Sequence, residues 1–172
     1  MNKIGTFGLA VAFAAFFVTT ADAQRRPSRP TTTPRVVTSN TAAAQTTTLR
    51  QGADKVSIQI KNVTKFLYLL GGAAAGIEDV DKDPRANAAA RSKNAENKRA
   101  LIQTIQNLRA GMLALEVEFR TKEPLKRHLP LVQGITELTA QSEDLAAAGR
   151  FTDSGRPLLT LVEKLSDALA AM

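Results

Sequence analysis

The chain has 172 residues, 44% of them hydrophobic, a net charge of +7, one His, and neither Cys nor Trp. That length supports one domain with a core of its own. Without Cys there is no disulfide, thiolate nucleophile, Cys-ligated zinc, iron–sulfur cluster or c-type haem.

Residues 1–23 carry the three-part pattern of a secretory signal peptide. Lys3 supplies the positive start, residues 5–18 are apolar, and Ala21-Asp22-Ala23 is an A-x-A cleavage site. The apolar run is shorter than the roughly 20 residues that span a bilayer, so removal is favoured over anchoring. The expected mature chain begins at Gln24, carries no transmembrane segment, and is exported to the periplasm or beyond the cell.

Residues 24–48 are rich in Pro, Thr, Ser and Ala, with Val36 and Val37 as the one bulky apolar pair. Too little can be buried there to offset the entropy of ordering, which predicts a disordered linker. Its charge comes from Arg25, Arg26, Arg29 and Arg35, with no acid among them. These arginines are candidate contacts for an anionic envelope polymer; a plain spacer is the competing reading.

Residues 49–172 read as an all-α, antiparallel four-helix bundle built on a long helical hairpin. The first helix is expected over 49–80. Leu49, Ala53, Val56, Ile60, Val63, Leu67, Leu70, Ala74 and Ile77 recur at spacings of four and three that put one side chain per turn on a single stripe, which Ile58, Phe66 and Leu69 are expected to widen. The second is expected over 84–121, with Leu101, Ile105, Leu108, Met112, Leu115 and Phe119 on its stripe. Asp83-Pro84 reads as its start, an acceptor followed by a residue preset to helical φ. A hairpin closing at residues 81–83 sets Val63 opposite Leu101 and Val56 opposite Leu108. It also sets the Gly/Ala run 71–76 against the Ala-rich stretch 88–92. That register makes Gly71, Gly72 and Gly76 candidates for close helix packing, since each Gly costs about 1 kcal/mol inside a helix and needs a reason to be there.

The third helix is expected over 124–148, with Pro130 either kinking or starting it. Its stripe reads Leu131, Ile135, Leu138, Ser142 and Leu145, and Gly149 ends it. The fourth is expected over 154–171, after a loop near 151–157, with Leu158, Leu161, Val162, Leu165, Ala168 and Leu169 inward.

Little of this carries chemistry. Asp79, Asp81 and Asp83 have the opening spacing of a calcium loop, but Pro84 and Ala90 stand where such a loop needs Gly and Glu. They remain a weak metal candidate. His128 lies between Arg127 and Leu129 near a helix start and reads as a surface residue. Glu116 and Glu118 point to different sides of their helix and cannot share a proton. Arg120, Lys122, Lys126 and Arg127 form a basic cluster without interleaved aromatics, so nucleic acid is not an expected partner.

No catalytic residue and no cofactor is assigned. The expectation is an exported, non-enzymatic helical protein of the cell envelope that binds itself or another envelope protein. The alternatives are a small-ligand carrier with a site between helices, and weak calcium binding at the 79–83 turn.

Overall fold

The computed structural model describes residues 38–172. The signal-peptide pattern at 1–23 and the four linker arginines, Arg25, Arg26, Arg29 and Arg35, lie outside the described residues. Within them the protein is all-α, with six helices and no strand: α1 (Thr38–Lys82), α2 (Ala88–Thr121), α3 (Glu123–Lys126), α4 (Leu129–Val132), α5 (Ile135–Ala147) and α6 (Phe151–Ala170). The long helices α1, α2, α5 and α6 share one core. Val56, Val63, Leu70 and Ile77 of α1 meet Ile105, Met112 and Phe119 of α2, Ile135 of α5 and Leu158, Leu161 and Leu165 of α6 in it.

The stripe predicted for α1 is buried at Val56, Val63, Leu70, Ala74 and Ile77 and half-buried at Leu49, Ala53, Ile60 and Leu67; that of α2 is buried from Ile105 to Phe119 and half-buried at Leu101. Of the three residues expected to widen the α1 stripe, Phe66 is buried, whereas Ile58 and Leu69 are exposed. α1 begins at Thr38, so the linker expected to be disordered to residue 48 is helical over its last part. Its described side chains before Thr48 are all exposed. Ala42, Ala43 and Ala44 favour helix there, and the hydroxyls of Thr46, Thr47 and Thr48 find their partners locally by donating to the carbonyls of those alanines.

The hairpin closes later than expected. Asp83 does not cap α2; its carboxylate accepts from the Arg85 N–H at 2.8 Å and closes a turn instead. The cap is Asn87, whose side chain accepts from the Ala90 N–H at 2.8 Å. The later closure shifts the register. Gln59 lies against Gly111 and Lys55 pairs with Glu118. Near the closed end, Asn94 is buried and donates to the Ile77 carbonyl at 3.0 Å and to Asp81 at 2.9 Å.

The pairing of residues 71–76 with residues 88–92 therefore does not form. A Cβ placed on Gly71, Gly72 or Gly76 meets nothing within 4 Å. These glycines do not hold a close helix contact among the described residues. Gly52 and Gly111 do: a Cβ on Gly52 would lie 2.6 Å from Leu125 Cδ2 and 2.9 Å from Met172 Cε, and one on Gly111 would lie 3.0 Å from Gln59 Nε2.

The single third helix expected over 124–148 is three helices. Pro124 and Pro130 each sit in the first turn of a one-turn helix, where a missing N–H costs nothing. Pro130 thus neither kinks nor starts the long helix. Gly134, at φ +87°, breaks the chain again before Ile135. The break also rotates the stripe by a residue: Val132, Ile135, Thr139, Ser142 and Ala146 are buried, whereas Leu131 is exposed and Leu138 and Leu145 are half-buried.

Gly149 ends α5 as expected. At φ +78° it lets its own N–H reach the Ala146 carbonyl and the Arg150 N–H reach that of Leu145.

α6 starts at Phe151, inside the stretch expected to be a loop. Phe151 and Ser154 extend its buried stripe by a turn, and the Ser154 hydroxyl donates to the Phe151 carbonyl at 2.7 Å. The cap residue Arg150 offers no side-chain acceptor. Glu78 of α1 supplies it, accepting from the Thr152 N–H at 2.8 Å.

The two kinds of glycine should respond oppositely to substitution. Gly71→Ala should raise the unfolding free energy by up to about 1 kcal/mol, because it adds helix propensity in open space. Gly52→Ala gains the same propensity but must displace the fully buried Leu125, an overpacking cost of about 1–3 kcal/mol. Urea unfolding should find the Gly52 variant at least about 1 kcal/mol less stable than the Gly71 variant; equal stabilities would contradict the packing described.

Candidate interaction surface

α1 packs on α6 along one flank and on α2 along the other. Its core residues Val63, Leu70 and Ala74 lie between them. Counting about 100° per residue, the opposite side of α1 is centred on Gly72 and carries Ile58, Lys61, Lys65, Tyr68, Gly76 and Asp79 within about 40°. Leu69 and Ala75 stand at its margins. Every one of these residues is exposed, Tyr68 at 84% and Leu69 at 62%. Single exposed apolar residues are ordinary, but Tyr68 and Leu69 adjoin each other and a floor of bare backbone.

The small residues shape the surface around them. An open depression of about 660 Å³ runs over Tyr68, Leu69, Gly72 and Ala73. A largely apolar groove of about 330 Å³ lies on the α6 side, between Leu67, Gly71 and Ala74 of α1 and Gly155 and Leu159 of α6. A third of about 390 Å³ lies on the α2 side, between Gly72 and Gly76 and the residues Ala90, Lys93 and Asn97. α1 is therefore a ridge with an open channel along each flank.

Charge is arranged along the ridge in one direction. Lys61 and Lys65 stand on its N-terminal side and Asp79 toward its C-terminal end, and none of the three has a side-chain partner among the described residues.

The other candidates from the sequence do not converge on a site. Asp81 is occupied by Asn94 and Lys98, and Asp83 by Arg85. Asp79, Asp81 and Asp83 do not come together, and no group of three His, Cys, Asp or Glu among the described residues could hold a metal ion. The calcium candidate is thereby corrected: Asp81 and Asp83 are engaged separately at the hairpin end, and Asp79 stands on the ridge of α1.

Much of the basic cluster is tied up within the fold. Lys122 and Lys55 both reach Glu118, Lys126 pairs with Glu123, and the Arg127 Nε–H donates to His128 at 2.9 Å. Burial works to raise the pKa of Glu118, but hydrogen bonds from Lys122 and Lys55 outweigh it and hold the carboxyl below its usual range. Glu143 is lowered by the hydrogen bond from Gln106, with Arg109 adding to it. Asp153 is lowered by Arg150 and Glu78 by the Thr152 N–H, each against a smaller opposing effect of burial. Glu78, Glu118 and Glu143 are ionised fasteners between elements, and Asp153 a local one at the start of α6, rather than proton donors near neutrality.

Glu116 and Glu118 indeed face different partners, Glu116 accepting from the Thr136 N–H at 3.3 Å. His128, expected at the surface, is buried. What the sequence reading missed was the pair of one-turn helices around Pro124 and Pro130, which turn this residue inward.

No protein-family model, curated protein or solved structure matches this chain. No helix among the described residues is long and apolar enough to cross a membrane.

Burial and the adjacent Arg127 charge hold the His128 pKa below its ordinary value of 6.5. As pH falls through that value the unfolded chain takes up the proton first, so stability is lost from there down to the folded-state pKa. The four lowered carboxyls act further down: their stabilisation is present above the ordinary carboxylate pKa and is lost as pH falls through the folded values. Melting temperature should therefore decline between about pH 7 and about pH 5 in the parent and stay nearly flat there in His128→Gln. An identical decline in both would show that His128 is not the responsible group.

Proposed function

We propose that this is an exported, non-enzymatic protein of the cell envelope, an interaction or structural module built as a four-helix bundle behind a cleavable signal peptide and a basic linker. The observation that carries the reading is the outward face of α1, where Tyr68 and Leu69 are exposed beside Gly72 and Gly76 and core packing uses none of them. An interface commonly centres on an aromatic anchor surrounded by small or apolar residues and rimmed by charge. Tyr68, its glycine floor and the rim of Lys61, Lys65 and Asp79 have those parts.

Export is supported by the order of Lys3, the apolar run 5–18 and Ala21-Asp22-Ala23. A spacer role for the segment after it agrees with residues 41–47 of α1, all of which are exposed. The arginines at 25, 26, 29 and 35 are retained as an anionic-polymer contact within this proposal. The carrier alternative requires an enclosed apolar cavity; the depressions along α1 are open to solvent, so the interaction reading is preferred.

Cell fractionation with N-terminal sequencing tests the export component. The protein should be recovered outside the cytoplasm with Gln24 as its first residue. Recovery in the cytoplasm with Met1 and the apolar run intact would overturn the envelope assignment.

A further inference from the structure

The outer face of α1 is complementary to itself. Place a second α1 antiparallel on the first, with a two-fold axis at Gly72. Residues whose numbers total 144 then face one another. Lys65 meets Asp79 and Lys61 meets Asp83, each opposite in charge. Tyr68 meets Gly76 and Leu69 meets Ala75, each large against small. All of these residues are exposed. Lys61, Lys65 and Asp79 have no side-chain partner among the described residues, and Asp83 gives one carboxylate oxygen to Arg85 and keeps the other.

A face that merely tolerated solvent would have no reason to match in sign and in size under one symmetry operation. A two-fold requires that residue i contact j while j contacts i, and these pairs meet that condition.

We propose that a second copy of this chain packs antiparallel on the outer face of α1, about a two-fold axis at Gly72. The proposal rests on the interaction-module reading and names its partner. Tyr68 of each copy fills the space over the partner's Gly76, where the absence of a Cβ leaves room for a ring. Gly72 lets the two backbones approach at the crossing. The four Lys–Asp pairs flank the apolar centre and fix the direction, because a parallel arrangement would oppose like charges.

The contact strip from Lys61 to Asp83 is about 33 Å long and one helix wide. That is small for a protein interface, so the association is weak, micromolar or weaker, and falls with salt.

A charge-swap cycle in the purified protein tests this, read by sedimentation velocity across micromolar to hundred-micromolar concentrations. The parent should show a concentration-dependent dimer. Lys65→Asp and Asp79→Lys should each weaken it by about tenfold or more. The double variant should recover to within about threefold of the parent. Positions 65 and 79 are about 21 Å apart along one helix, too far to interact within a chain, so rescue reports a contact between copies.

Both side chains are exposed, and unchanged melting temperatures would verify that the variants fold. A strict monomer at every concentration, or a double variant no better than the singles, overturns the proposal.

A photocrosslinker at position 68 in the producing cells separates this from the broader reading. A self-crosslink that the single charge variants abolish supports the two-fold contact. A crosslink to a different envelope protein, with the purified chain monomeric, overturns the two-fold contact but spares the interaction surface. No crosslink of either kind removes both.

Discussion

The seating of α6 is the contact on which the rest of the described fold depends. Phe151, Leu158, Leu161 and Leu165 are fully buried along one side of it. Burial of each such side chain contributes about 1.5–3 kcal/mol relative to exposure. α6 lies against both α1 and α5, and α5 in turn lies against α2. The helices thus close a ring around one core rather than forming a hairpin with a cover laid over it. The α1–α2 hairpin, which the periodicity makes most conspicuous, is joined along its length by relatively few contacts of its own. Closing the ring has a local consequence. Flanked by α2 and α6, α1 retains only its outermost side for solvent.

Polar groups reinforce the ring at the places where helices begin. Arg150 and Gly134 precede α6 and α5, and neither provides a side-chain cap. The missing acceptors come from the long helices instead, Glu78 of α1 for Thr152 and Glu116 of α2 for Thr136. A carboxylate at a helix N-terminus satisfies a free N–H and meets the positive end of the helix dipole. Because donor and acceptor belong to different elements, each of these bonds also fixes where one helix starts along another. Lys55 and Lys122, converging on Glu118, do the same for the far end of α1 and the end of α2.

These cross-helix terms explain which parts of the fold could be read from the sequence. The buried stripes of α1, α2 and α6 repeat every three to four residues, and a periodic signal survives any uncertainty about partners. The Gly149 stop was legible for a similar reason, since it depends on local backbone freedom alone. The hairpin register was not. It turned on whether Asp83 or Asn87 capped α2, and both are good acceptors. Asp83 accepts from the Arg85 N–H instead and closes a turn there, which moved the closure and every pairing that followed from it. The start of α6 was hidden because its cap comes from Glu78, far away in sequence. His128 was misplaced because two one-turn helices, each opened by a proline, replaced the single expected helix.

The glycines show most directly why the candidate surface was half legible. Composition alone flagged Gly71, Gly72 and Gly76 as residues in need of a reason, and that inference stands, since each weakens an isolated helix by about 1 kcal/mol. The reason first assigned, a close contact with the start of α2, required a register that the fold does not adopt. Gly52 shows what such a contact looks like when it exists, with Leu125 and Met172 filling the space a side chain would take. Nothing in the described residues fills the space over the other three. Core packing does not account for them, and neither does turn geometry, since they lie in the interior of a long helix. A helix side facing away from the core is free to be charged and helix-favouring, as α1 is at Lys61 and Lys65. From Tyr68 to Gly76 it is apolar and glycine-rich instead, a composition that weakens the isolated chain and improves only what can be laid against it.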